Sequence, residues 1–354
     1  MISNSGTLAA PFPWFGGKSG ACQTVWQAFG LVDNYVEPFA GSAAMLLGAP
    51  DGKRVETIND ADGFVANFWR ATAIDADAVA AAADWPCNEA DLFARHSWLV
   101  RQRDGLLERL HADPAFYDAQ IAGWWCWGAC NWIGSGWCAG TGPWVHDGER
   151  ILDVRQLPHL GNAGRGINRK LPHLGNAGQG INRKLPHLGN AGQGINRQLP
   201  HLGDAGRGGY IRQWFGKLQQ RLRDVRVACG DWSRVVKDSV TTRHGLTGVF
   251  LDPPYTKGAM DYSAGGVGGE LARDVQAWCV ANGENKMLRI VLCGHAGEHD
   301  ALLAHGWHTR EWTARKGYAM TDEAVANAAS ETIWCSPHCI RPQAAQDDLF
   351  AEAA

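Results

Sequence analysis

The sequence has few charged residues and no long apolar run. Charged residues make up only 19% of the 354 residues, whereas 45% are hydrophobic, so the chain can bury a large core. No uninterrupted apolar stretch approaches the ~18 residues that a membrane span needs. The polar and small residues 1–10 also lack the apolar centre of a signal peptide. The length predicts one large or two smaller domains, and the absences predict a cytoplasmic protein with no membrane partner.

Paired CxxC motifs are missing as well. The ten cysteines are scattered, which is typical of the reduced thiols of a cytosolic protein. Two groups could supply zinc ligands, Cys126, Cys130, Cys138 and His146 in one and Cys335, His338 and Cys339 in the other. Neither group has the paired spacing of familiar structural zinc sites, so no metal is predicted.

The glycine-rich phosphate motifs GxGxxG and GxxxxGK[ST] do not occur. Instead, four predicted strands end on a carboxylate, at Glu37, Asp60, Asp231 and Asp252. In open α/β sheets, ligands bind outside the carboxyl ends of the strands, near the point where the strand order reverses. A nucleoside held by carboxylates without phosphate contacts favours S-adenosylmethionine over NAD or ATP. For Asp231, the alternative is the N-cap of a short helix.

Strand and helix patterns alternate at both ends of the chain. Strands are predicted at "NYVEPF", "RVETIND", "VRVACGDW", "GVFLDPPY", "RIVLCG", "HTREW" and "ETIWCS". This alternation predicts an α/β fold with a mostly parallel sheet covered on both faces. Residues 1–70 and 210–340 would form it, with 71–209 as an insertion that contains two or three helices between 75 and 118. The tryptophan- and glycine-rich residues 123–144 show neither helical nor strand periodicity, and they favour either core packing or an aromatic loop that extrudes a base.

A 14-residue repeat follows, beginning at Leu157, Leu171, Leu185 and Leu199. Residues 157–208 carry seven basic groups and one acid, a net charge of +6, whereas the rest of the chain carries −9. A basic segment in an acidic protein predicts contacts with DNA phosphates; a flexible spacer is the alternative. The basic residues are Arg165, Arg169, Lys170, Arg183, Lys184, Arg197 and Arg207.

The stretch "DPPY" ends a predicted buried strand with a carboxylate, two prolines and a tyrosine. Proline lacks a backbone N–H, so the Asp252 carboxylate and the Pro253 carbonyl can both accept hydrogen bonds from one NH2 group. Tyr255 offers a ring on which a planar base can stack. Two acceptors favour the pyramidal form of an aromatic amine, whose lone pair can then attack a sulfonium methyl group in line.

These motifs resemble the Dam-like, DPPY-type DNA adenine methyltransferase family, and the resemblance implies a phage or prophage member that acts in the cytoplasm of a bacterial host cell. The resemblance rests on "PWFGGK" (13–18), "YVEPFAGS" (35–42), "IND" (58–60), "CGDW" (229–232), and "DPPY" followed by Tyr262. It covers roughly residues 10–70 and 210–336 and implies a Rossmann-like sheet with an inserted DNA-recognition region. One departure is Ala43, where many members carry a second glycine. Because alanine is nearly as small as glycine, the substitution is expected to matter little.

The resemblance implies roles for individual residues. Asp252, Pro253, Pro254 and Tyr255 would hold a flipped adenine of double-stranded DNA for catalysis. S-adenosyl-L-methionine would contact Trp14, Phe15, Gly17, Lys18, Glu37, Pro38, Phe39, Gly41, Asp60, Asp231 and Trp232.

Alternatives remain open at this point. The exocyclic amine of cytosine or a protein glutamine could be the acceptor, although relatives with those substrates usually have Ser or Asn in place of Asp252. A catalytically inert DNA-binding module is the alternative of another class, and binding of S-adenosylmethionine separates the two. Cys87 invites a thiolate mechanism on a cytosine carbon, but its alanine-rich helical surroundings predict a structural role.

The acidic tail, 341–354, is predicted to be disordered. It contains "QDDLF", which resembles the segment with which bacterial DNA-processing proteins dock on the replication sliding clamp. Gln346 would make polar contacts there, while Leu349 and Phe350 would fill an apolar pocket.

Overall fold

The computed structural model describes residues 8–14, 18–132, 137–138, 144–146, 151–153, 209–254, 268–311 and 331–341. Its centre is a seven-stranded sheet. The strands are β1 (Asn34–Glu37), β2 (Val55–Asp60), β3 (Val225–Cys229), β4 (Thr247–Leu251), β5 (Leu288–His295), β6 (His308–Glu311) and β7 (Glu331–Cys335). Their order is β3-β2-β1-β4-β5-β7-β6, and only β7 runs antiparallel to its neighbours. The predicted α/β class with a mostly parallel sheet is confirmed.

The strand order reverses beside β1. The chain passes from β1 to β2 and β3 on one side, and then returns to place β4 and β5 on the other. In the pairing register, Asn34 lies opposite both Val55 and Thr247. The carboxyl ends of these parallel strands therefore share one edge, and the crevice at β1 and β4 is where ligands bind in such sheets.

Alternate residues of the central strands enter two hydrophobic clusters, one on each face of the sheet. In β4, Phe250 belongs to one cluster, whereas Val249 and Leu251 belong to the other. Because side chains alternate between the two faces of a strand, this pattern requires a cover on both faces. The near-continuous burial of β4 and β5 fits the apolar runs from which these strands were predicted.

Helices supply that cover. They are α1 (Cys22–Phe29), α2 (Ala44–Leu47), α3 (Gly63–Ile74), α4 (Ala76–Ala83), α5 (Glu89–Ala112), α6 (Ala119–Asn131), α7 (Gly209–Leu222) and α8 (Gly268–Asn282). The inserted helices α4 and α6 pack on α3 and α7 and share their hydrophobic cluster. A separate two-stranded ribbon pairs Trp144–His146 with Ile151–Asp153. In the ranges that the structure describes, no helix has both the length and the hydrophobicity of a membrane span.

The tryptophan-rich stretch shows where the sequence patterns failed. Residues 119–131 form helix α6, although no helical periodicity was recognised in them. The Asp118 side chain caps the helix by accepting from the backbone N–H of Ile121 at 2.8 Å. A Cβ at Gly123 would lie 2.4 Å from Ala82 Cβ, so this glycine permits close packing of α6 on α4. The helix is buried on most of its surface and is therefore apolar all round. It lacks the separate polar and apolar faces by which a helix is recognised in a sequence.

Candidate functional site

The loop after β1 approaches the end of β2 closely. Gly41 has φ +45° and donates its backbone N–H to Asp60 Oδ2 at 2.9 Å. Asp60 Oδ1 accepts from the N–H of Asp62, also at 2.9 Å. Burial raises the pKa of Asp60 to about 7, although the hydrogen bond from Asp62 lowers it. A Cβ at Gly41 would lie 2.3 Å from Trp14 Nε1, so the indole covers this turn and any side chain at 41 would displace it.

The backbone conformation of Ala43 contradicts the expectation that alanine can replace glycine there at little cost. Its small size was expected to make it equivalent to glycine, but its backbone is left-handed, at φ 48° and ψ 35°. An L-residue pays roughly 1–2 kcal/mol for this conformation, whereas glycine does not. Conformation, not volume, is therefore the reason for a glycine at this position.

Glu37 is directed into the protein. Its side chain is 2% exposed, and Oε2 accepts from the Tyr35 hydroxyl at 3.0 Å and from the backbone N–H of Leu46 at 3.3 Å. Burial raises the pKa of Glu37 to about 8, against the lowering effect of the Tyr35 and Leu46 bonds. The carboxyl group joins the end of β1 to helix α2 and shapes the turn between them.

An aromatic wall stands beside the end of β3. The rings of Phe39 and Trp232 stack with centroids 6.0 Å apart, and Trp278 meets Trp232 edge-on at 6.2 Å. Asp231 caps the short 3₁₀ helix Trp232–Arg234, as the N-cap alternative predicted, and its Oδ1 accepts from the N–H of Ser233 at 2.9 Å. Asp231 is exposed, and of its two carboxylate oxygens only Oδ1 makes a hydrogen bond within the described residues. Oδ2 can therefore accept from a ligand.

Asn59 holds two of these loops together, and sequence reasoning assigned it no role. Its Nδ2 donates to the carbonyl of Pro38 at 3.0 Å and to that of Gly230 at 2.9 Å. The side chain is 1% exposed. The only available signal was its place in "IND", between an apolar residue and the predicted ligand Asp60.

We expect Asn59→Asp to lower stability and to weaken binding of the S-adenosylmethionine that the sequence predicts. The substitution keeps the shape but replaces the donor NH2 with an oxygen that faces two carbonyls, an unsatisfied and repulsive arrangement that costs about 2–4 kcal/mol. Urea unfolding and S-adenosylmethionine titration measure the two effects. Asn282→Asp is the matched control, because Nδ2 of Asn282 bonds only a carbonyl of its own helix. Equal behaviour of the two variants would contradict a positioning role for Asn59.

A buried lysine connects the first motif to the end of β4. Lys18 Nζ lies 3.3 Å from Asp252 Oδ1 and 3.4 Å from Glu331 Oε1. The side chain of Lys18 is 3% exposed, against 22% for Asp252 and 13% for Glu331. Burial lowers the pKa of Lys18, but the negative charges around it, Asp252 above all, outweigh this effect and raise its pKa. Lys18 thus stays charged and keeps an anionic partner at Asp252.

Glu331 was missed by the sequence reasoning, which identified "SETIWCS" only as a closing strand. It opens β7 opposite His295 of β5. Burial raises the pKa of Glu331, and the Lys18 charge opposes that shift. Because β7 runs antiparallel to β5, Glu331 at its start lies at the edge of the sheet where β4 and β5 end. The topology of the sheet alone therefore places Glu331 in the site.

Several predicted residues lie outside the described residues. They are Phe15, Gly17, Tyr255, Tyr262, the repeat residues Arg165, Arg169, Lys170, Arg183, Lys184, Arg197 and Arg207, and the tail residues Gln346, Leu349 and Phe350. Their roles stay predictions. Pro253 is buried and Pro254 partly exposed, directly after β4.

The cysteines form no recognisable metal centre. Among the described residues, no three His, Cys, Asp or Glu side chains are grouped to hold an ion. The thiols of Cys126 and Cys130 both face the carbonyl of Pro11, at 3.9 and 3.2 Å. His338 contacts the carbonyl of Glu284 at 3.1 Å. Cys87 is exposed in the connection between α4 and α5, not in a helix, and burial of its partly covered thiol raises its pKa.

No protein-family model matches this chain, and no curated protein matches it significantly. The functional proposal therefore rests on the contacts and distances within the site.

Proposed function

We propose that this chain transfers a methyl group from S-adenosyl-L-methionine to the exocyclic amine of adenine in double-stranded DNA. One observation carries the proposal: Asp252 lies directly after β4 at the switch point and pairs with Lys18, the last residue of the first motif. Four sequence blocks, "YVEPFAGS", "IND", "CGDW" and "DPPY", lie at the ends of the neighbouring strands β1 to β4, and Lys18 of "PWFGGK" reaches the last of them. The five neighbouring strands β3-β2-β1-β4-β5 also have the same order as the first five strands of dinucleotide-binding folds.

The residues at the ends of β1, β2 and β3 fit a nucleoside. Asp60 keeps lone pairs beyond its two backbone hydrogen bonds and can accept from ribose hydroxyls. Asp231 Oδ2 can accept from a purine amine beside the rings of Phe39 and Trp232. When bound, S-adenosyl-L-methionine supplies the electrophilic methyl group.

Asp252 and Lys18 would then act on the amine of the target base. The Asp252 carboxylate that pairs with Lys18 can accept hydrogen bonds at both oxygens. An adenine NH2 that donates to Asp252 and to the Pro253 carbonyl becomes more pyramidal, and its lone pair is directed away from the ring. The N–C bond would form as the sulfonium–methyl bond breaks, with S-adenosylhomocysteine as the leaving group and one amine proton released to solvent. No covalent intermediate with the protein is needed, so orientation of the lone pair would supply most of the rate enhancement.

Expression of the chain in a host without DNA methylation tests the proposal. Sequencing of the host DNA should reveal N6-methyladenine within one short sequence context, and an Asp252→Asn variant serves as the control. Methyl groups on the cytosine amine would favour the alternative acceptor. Unmodified DNA from cells that contain folded protein would overturn the proposal.

A further inference from the structure

A cavity lies at the outer edge of the sheet, between α3, α5 and β3. Its volume is about 240 Å³. The apolar part of its lining consists of Ala66, Leu110, Val227 and Ala228. Cys229 lies beside them, and three basic side chains complete the lining, Arg70, His111 and Arg234.

The three basic residues come from three separate elements. Arg70 belongs to α3, His111 to the last turn of α5, and Arg234 to the 3₁₀ helix after β3. None of the described residues that line the cavity carries a carboxylate. The structure thus concentrates positive charge in one partly enclosed space, although the chain as a whole has a net charge of −3.

Backbone contacts hold these side chains in place. His111 Nε2 lies 3.2 Å from the Cys229 carbonyl oxygen, and Arg234 Nη1 donates to the same oxygen at 2.9 Å. Arg70 donates to the carbonyls of Asp113 and Pro114, in both cases from Nη2. In the described part of the chain, each guanidinium therefore uses one nitrogen and keeps the others for a ligand.

Gly230 is needed for this arrangement. It has φ +131°, and a Cβ there would lie 2.6 Å from Arg234 Nη1 and 3.7 Å from His111 Nε2. The two basic groups thus approach each other across a residue without a side chain. An anion that binds beside them can accept from the remaining N–H groups of the Arg234 guanidinium.

We propose that this cavity binds the phosphate group of a phosphate ester. Arginine forks match phosphate oxygens geometrically and form charge-assisted hydrogen bonds with them. A cavity of ~150 Å³ holds benzene, so the space is large enough for a phosphate with part of a sugar against the apolar lining. The ester can be a backbone phosphate of DNA or a free nucleotide. The inference does not depend on the proposed methyl transfer.

Titration with inorganic phosphate and with deoxyadenosine monophosphate, followed by isothermal calorimetry, tests the site. Arg70→Gln and Arg234→Gln should each weaken binding by ~10-fold or more, because each removes a charged donor. Arg109→Gln is the matched control: this residue of α5 is exposed, and its guanidinium lies over Phe116, outside the cavity. It should bind both probes as the wild type does.

A second variant separates ligand binding from folding. Ala228→Val fills part of the cavity and retains all three basic groups, so it should also weaken binding, with an unchanged circular dichroism spectrum. Wild-type affinity in the Arg→Gln variants and in Ala228→Val would overturn the proposal. Displacement of phosphate by S-adenosylhomocysteine would also overturn it, because the cavity would then belong to the cofactor crevice.

Binding to a labelled DNA duplex at several salt concentrations distinguishes the two sources of the phosphate. If a DNA phosphate occupies the site, Arg70→Gln lowers the slope of log K against log salt by about 1. If a free phosphate ester occupies it, the variant loses affinity for deoxyadenosine monophosphate and retains the wild-type slope on DNA.

Discussion

Asp252→Asn should lower the rate of methyl transfer by roughly 10²–10³-fold and leave the fold and the affinity for S-adenosylmethionine nearly unchanged. This is the range observed when one preorganised hydrogen-bonding group is removed from an active site. The amide keeps the volume of the carboxylate but loses its charge and one acceptor. Lys18 still has Glu331 at 3.4 Å, so the buried cation is not left alone.

Transfer of a labelled methyl group to duplex DNA under single-turnover conditions measures the effect on the chemical step, and calorimetry measures cofactor affinity. The matched control is Asp274→Asn, the same change at an exposed position of α8. Wild-type turnover in Asp252→Asn would show that the amine is held elsewhere. A parallel loss of cofactor affinity would place Asp252 in the cofactor site instead.

The second large effect concerns stability. Asp252→Asn combined with Glu331→Gln should lower the free energy of unfolding by about 3–5 kcal/mol, because the two substitutions together remove the carboxylates that lie 3.3 and 3.4 Å from the buried Lys18 ammonium. Each single substitution should cost clearly less, since the other carboxylate still pairs with Lys18, at 3.3 or 3.4 Å. The effects are therefore expected to be non-additive.

Urea unfolding of the four proteins gives the coupling energy through a double-mutant cycle. Lys18→Met added to the double variant removes the buried charge that has lost these two carboxylates, and it should recover most of the lost stability. If the double variant lost only as much free energy of unfolding as the two single variants together, the carboxylates would not share the role of pairing with Lys18. Failure of Lys18→Met to recover stability would assign the loss to packing instead.

The strand ends were predictable because apolar runs that stop at a polar residue are local features. All seven strands of the sheet were recognised. Helix α6 was not, because burial on most of its surface removes the pattern of alternating polar and apolar residues. Asn59 and Glu331 escaped notice for another reason: their partners are far away in the sequence, at 230 and at 18.

By itself, the sequence determined the α/β class, the order of the motifs and the carboxylates that end the strands, since each depends on short-range pattern and residue chemistry. Only the tertiary structure decided which of these carboxylates face inward. Glu37 is buried against Tyr35, whereas Asp231 is exposed and can accept from a ligand. It also decided that Lys18 lies between Asp252 and Glu331, and that Arg70, His111 and Arg234 line one cavity. Such contacts form where strand order and helix packing bring together segments that are far apart in the sequence. A local sequence pattern carries no information about which segments these are.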